Sequence, residues 1–126
     1  MADRPLSPHI TAYKWGPHML VSILHRITGD GLALVGLVVL LWWLGAMAYG
    51  GSCYETFAWF AGTPVGYIVW VGISWAFFNH LCSGVRHFVL DIGAGYELHE
   101  NRNFSLASLI IGILLTAAFW AKLVLL

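Results

Sequence analysis

The stretch LALVGLVVLLWWLGAMAY, residues 32–49, carries no polar group beyond the ring heads of two tryptophans and a tyrosine. A helix needs about 20 apolar residues to cross the hydrocarbon core of a bilayer. Outward from this stretch, no Asp, Glu, Lys or Arg occurs from Gly31 to Tyr54, from Thr56 to Val85, or from Asn103 to Ala121. These charge-free windows predict three membrane-spanning helices at about 19–49, 64–92 and 104–126. Lipid offers no partner for open backbone groups, so the spans must be helical. No segment shows the alternation of a membrane β-barrel.

The composition agrees. Of the 126 residues, 60% are hydrophobic and 10% charged, against about 25% charged in a soluble domain. A chain this short could not bury so much apolar surface in water. The expected fold is an all-α membrane protein, a single domain over 1–126, with three transmembrane helices in an up-down-up bundle. Pro17 and Pro64 suit first helical turns, where a missing N–H costs nothing. Gly50-Gly51 and Gly62-Thr63 break the chain between the first two spans. Net charge is zero, which gives no electrostatic reason to expect nucleic acid. The opening MADRPLSPH has no apolar core of a signal peptide, so the chain as given is expected to be mature. Cys53 and Cys82 form neither a CxxC nor a haem-attachment CxxCH pattern.

Charge placement predicts direction. Arg4, Lys14 and Arg26 precede or open the first span, and Arg86 and Arg102 flank the turn between the second and third. The segment between the first two spans carries only Glu55. The positive-inside rule then puts the N-terminus and residues 92–103 on the cytoplasmic or matrix side. Trp42, Trp43, Tyr49, Tyr54, Trp59 and Trp120 would form the opposite aromatic belt.

Ionisable groups inside a span are costly and are functional candidates by default. Two sets stand out. In the first, offsets of 4, 3 and 4 put Trp15, Met19, Ser22 and Arg26 on one helical face, with His25 beside them. A flat apolar wall with hydroxyl and guanidinium donors suits a quinone, whose carbonyl oxygens gain negative charge on reduction. The same spacing also fits ordinary interfacial anchoring, with Arg26 reaching head groups. Asp30, four residues after Arg26, reads as a helix ion pair.

In the second set, His80, Gly84, His87 and Asp91 share a face. A neutral histidine inside a span is suited to bind a b-type haem iron. A glycine one turn on leaves room for a flat macrocycle. His80 lies roughly 9 Å deeper than Arg86 at the helical rise, and Arg86 and His87 stand where propionates would emerge. A buried structural histidine is the competing reading. His9, His18, His25 and His99 are poor candidates for a second axial ligand, which points to another chain.

Three stretches in order resemble the cytochrome b subunits of succinate dehydrogenase, respiratory complex II. They are RPLSPHITAY (4–13), SILHRITG (22–29), matching S-x-x-H-R-x-[ST]-G, and HLCSGVRHFVLDIG (80–93), matching H-x-x-x-G-x-R-H-x-x-x-D. Only Asp30 departs, where the pattern expects a small or apolar residue. The resemblance implies an anchor subunit of succinate:ubiquinone oxidoreductase in a bacterial inner or mitochondrial inner membrane. It implies ubiquinone at Ser22 and Arg26, with Trp15, Met19 and Ile23 as apolar wall. It implies His80 as axial ligand of a haem b shared with a second membrane-anchor subunit, with His25, Arg26, Gly84 and His87 around the haem. An iron–sulfur subunit would complete the quinone site and a flavoprotein subunit would oxidise succinate, leaving no catalytic residue in this chain. A transporter subunit would need polar residues along a continuous path, whereas here they gather toward one side. A purely structural anchor would lack the haem.

Overall fold

The computed structural model describes residues 15–125, which are helical apart from short breaks. Arg4, His9, Lys14 and the stretch 4–13 lie outside the described residues. Five α-helices follow in order: α1 (Pro17–Gly31), α2 (Leu37–Tyr49), α3 (Gly51–Ala61), α4 (Pro64–Asp91) and α5 (Leu98–Leu125). A π-helical segment, Leu32–Gly36, joins α1 to α2. The two therefore form one continuous span of 33 residues, Pro17–Tyr49. Among the described residues, it and α4 and α5 are the three helices long and apolar enough to cross a membrane. At 1.5 Å per residue the first span reaches about 50 Å, well beyond the ~30 Å hydrocarbon core.

Helix starts follow the predicted chemistry. Pro17 begins α1 after extended Gly16. Pro64 begins α4 behind Thr63, whose hydroxyl accepts from the Gly66 N–H at 3.0 Å. Gly50 ends α2 at φ +64° and ψ −163°, a conformation that an L side chain resists. The chain turns there directly into α3, which makes the connection between the first two spans helical. Cys53 is exposed on it. Helix α5 begins at Leu98, ahead of the charge-free stretch, and its first turns carry Glu100 and Arg102.

The helices pack as an up-down-up bundle, with α4 against both α1 and α5 and α1 also touching α5. Beyond the π-helical segment the first span leaves α4, and α3 fills the gap between α2 and α4. Phe57 of α3 is the wedge, with ring centroids 5.2 Å from Trp42 and 6.0 Å from Trp70. Tyr49 and Trp59, two of the expected belt residues, are well exposed at this end.

Burial is inverted relative to a soluble protein. The buried side chains are mostly small or polar: Thr28, Asn79, Ser83, Arg86, Ser105, Ser108 and Thr116. Leu34, Ile68, Val124 and many other large apolar side chains face outward. In water this surface would be untenable, since contiguous exposed apolar patches mark contact sites. In a membrane it is the lipid-facing coat. The α4–α5 seam allows close approach by small residues, as expected where helices associate in lipid. A Cβ on Gly112 would come within 3.1 Å of the Asn79 Cα.

Candidate functional site

Helices α1 and α4 meet through their histidines, His25 on one and His80 and His87 on the other. His80 projects from α4 onto α1, and its Nδ1 lies 3.0 Å from the His25 carbonyl oxygen. A carbonyl only accepts, so this contact is a hydrogen bond when Nδ1 carries the hydrogen, which in a neutral imidazole leaves the lone pair on Nε2. The His80 ring stacks on the His25 ring with centroids 4.0 Å apart and planes 10° from parallel. His87, two turns further along α4, has its centroid 5.0 Å from that of His25. Three imidazoles therefore form one half-buried cluster. His25 Nδ1 is buried without a hydrogen-bond partner among the described residues.

Gly84 lies one turn from His80, and a Cβ placed there would meet nothing within 4 Å. The shared face of His80, Gly84 and His87 thus has open space beside the histidines, and Asp91 at its end is exposed. On α1, Met19, Ser22 and Ile23 are half-buried and Arg26 is exposed. Ser22 lies one helical turn before His25 and Arg26 one residue after it on the same helix. Asp30 is exposed, as Arg26 is. Trp15 departs from the expected helical face. It precedes the extended Gly16 that caps α1, so helical offsets do not reach it, and its side chain is exposed.

Arg86 also departs from expectation. Neighbouring residues on a helix point about 100° apart, and Arg86 turns away from His87 into the α4–α5 seam. It is buried there, and its Nη2 donates to the Asn101 side-chain oxygen. Its Nε has no partner among the described residues. The sequence carries a signal for this seam. Asn79, Ser83 and Arg86 recur at helical spacing, as do Ser105, Ser108, Gly112 and Thr116.

No group of three or more His, Cys, Asp or Glu poised to hold a metal ion occurs among the described residues. An apolar groove of about 850 Å³ lies away from the histidines, between α2 and α4. Its walls, including Leu40, Trp43, Phe57 and Trp70, bring no ionisable group.

Fold and site together define a small three-span helical membrane protein with stacked histidines held between its first two spans. The chain belongs to the family described as the succinate dehydrogenase/fumarate reductase transmembrane subunit, which it matches over residues 2–119. It is thus a membrane component of an enzyme complex. The chain is similar to the succinate dehydrogenase cytochrome b556 subunit of Paracoccus denitrificans, with 33% identity over 122 residues, covering 94% of this chain and 93% of the relative. It is 36% identical over 117 residues to the cytochrome b556 subunit of Rickettsia felis, covering 93% of this chain and 90% of that protein. It is 31% identical over 118 residues to the mitochondrial cytochrome b560 subunit of Mus musculus, covering 90% of this chain and 68% of that one.

Proposed function

We propose that this chain is the haem- and quinone-binding anchor subunit of a succinate:ubiquinone oxidoreductase. The observation that carries this reading is the contact of His80 with the His25 carbonyl. It joins the histidine cluster to the helix that bears Ser22 and Arg26, and it leaves one imidazole nitrogen with a lone pair. The relatives' names, cytochrome b556 and b560 subunits, support a b-type haem.

The residues fit that group. His80 would hold the iron through Nε2, and open space beside Gly84 would admit the porphyrin edge. His25, Arg26 and His87 would lie around it, with the Arg26 guanidinium a donor suited to propionate oxygens. The second axial ligand would come from a second membrane-anchor subunit. Haem b, when bound, supplies a one-electron centre inside the membrane. Ser22 and Arg26 would donate to a ubiquinone carbonyl oxygen and stabilise negative charge as the ring is reduced. Met19 and Ile23, with Trp15 from the segment before α1, would wall the ring and keep water from it.

The whole chain, 1–126, would act as one anchor domain in a bacterial or mitochondrial inner membrane, with its N-terminus on the cytoplasmic or matrix side. Succinate would be oxidised in a flavoprotein subunit, and an iron–sulfur subunit would deliver electrons to the quinone. This chain would contribute no succinate-oxidising group. The test is a pair of variants in the assembled complex. Ser22→Ala and Arg26→Leu should cut quinone reduction about tenfold or more, the scale of one lost charged hydrogen bond. Succinate oxidation with an artificial acceptor should stay intact. Equal loss of both activities refutes the quinone assignment. A reduced-minus-oxidised spectrum without a b-type band refutes the haem.

A further inference from the structure

Two residues of α1 that no role above absorbs lie directly against the His80 ring. Thr28 is buried at 2% exposure. Its hydroxyl donates to the Leu24 carbonyl at 2.7 Å, with the His25 carbonyl a second acceptor at 3.1 Å. Its one proton is therefore committed to its own helix. Thr28 Oγ1 also lies 3.4 Å from His80 Nδ1, and toward that nitrogen it can only accept. Nδ1 thus faces two acceptors, a carbonyl and a hydroxyl whose proton is spent. The tautomer with hydrogen on Nε2 would set three electron-rich atoms against one another.

Gly29 supplies the seat. A Cβ at this position would lie 2.8 Å from His80 Cε1 and 3.3 Å from Nδ1. The ring rests flush on the α1 backbone with His25 stacked over it, so no other residue fits at position 29 without moving the imidazole.

We infer that Thr28 and Gly29 are positioning residues for His80: together they fix its tautomer and ring plane so that Nε2 is presented as a metal-binding lone pair. The role of that lone pair rests on the haem assignment above. Metal-bound histidines generally owe their orientation to what the other ring nitrogen donates to. Here the acceptors come from a different span, so the presentation of the α4 histidine is set by α1.

The test uses Gly29→Ala, Thr28→Val and Thr28→Ser in the assembled complex, read by optical and electron paramagnetic resonance spectra. A haem-independent arm uses ¹⁵N-histidine NMR of the full-length chain in micelles, with the His80 signal identified by its loss in His80→Gln. Gly29→Ala should remove more than half of the b-type absorbance. Thr28→Val, close to isosteric, should leave the haem in place but shift its low-spin g values. Thr28→Ser should match the unaltered protein. The haem-free chain should show His80 with its hydrogen on Nδ1, and Gly29→Ala should change that signal. Full b-type absorbance in Gly29→Ala, with g values unmoved in Thr28→Val, overturns the inference, as does hydrogen on Nε2. If the unaltered complex has no b-type band, the haem assignment falls, and the NMR arm alone decides the positioning role. Should Gly29→Ala fail to assemble, Thr28→Val against Thr28→Ser decides it.

Discussion

Replacing Asn101 by leucine should destabilise the bundle, and replacing Asn101 and Arg86 together should not. Arg86 is 9% exposed and its Nη2 donates to the Asn101 side-chain oxygen, while its Nε has no partner among the described residues. A guanidinium stays charged in proteins. Asn101→Leu would therefore strand a buried charge that already lacks one partner. A hydrogen bond to a charged group contributes about 1.5–3 kcal/mol, and a charge left without compensation costs at the upper end of that range or beyond. We expect a loss of about 2–3 kcal/mol, which is about 30- to 150-fold in the unfolding equilibrium. Arg86→Met alone leaves only the half-buried Asn101 amide unpaired, for a cost of about 1 kcal/mol. The double variant, Arg86→Met with Asn101→Leu, removes both partners and fills the seam with carbon. Such replacements are often neutral or stabilising by about 1–4 kcal/mol. The assay is equilibrium unfolding of the chain in mixed SDS and maltoside micelles, followed by circular dichroism. A double variant as unstable as Asn101→Leu would refute the reasoning, because the stranded charge would not be the cause.

Gly112→Leu should cost about 2–3 kcal/mol in the same assay. The new side chain would meet the Asn79 backbone, which cannot yield as a side chain does. Gly36→Ala is the control: only the Leu32 side chain lies near, at 3.8 Å, so stability should hold or rise by up to about 1 kcal/mol. Thr63→Ala should cost about 1 kcal/mol by removing the α4 cap. Hydrogen exchange at the Gly66 amide should quicken, and an unchanged rate would show the cap to be idle.

The spans were legible because lipid imposes one rule that composition alone reveals. Gaps in charge marked all three. The rule says nothing about where hydrogen bonding begins, so α5 starts at Leu98, inside a charged turn that the gap excluded. The π-helical segment escaped notice because LALVG is apolar in either winding. Helix α3 was hidden between glycines, its role set by Phe57 meeting Trp42 and Trp70 across the bundle. At the site, spacing within a helix grouped Met19, Ser22 and Arg26, and likewise His80, Gly84 and His87. Contacts between helices were beyond it. The stacking of His25 on His80 and the seat at Gly29 depend on how α1 crosses α4. Two placements depended on more than spacing: Trp15 lies before the helix begins, and Arg86 faces the α4–α5 seam.

The inverted burial has a consequence for how this sequence can drift. An outward Leu34 or Ile68 asks of its replacement only that it dissolve in hydrocarbon, and several side chains qualify equally. Ser105 or Gly112 asks for a definite volume, which almost nothing else supplies. Substitutions accepted over time should therefore gather on the greasy exterior, and the quiet positions should be the small ones inside, the reverse of what a water-soluble fold records.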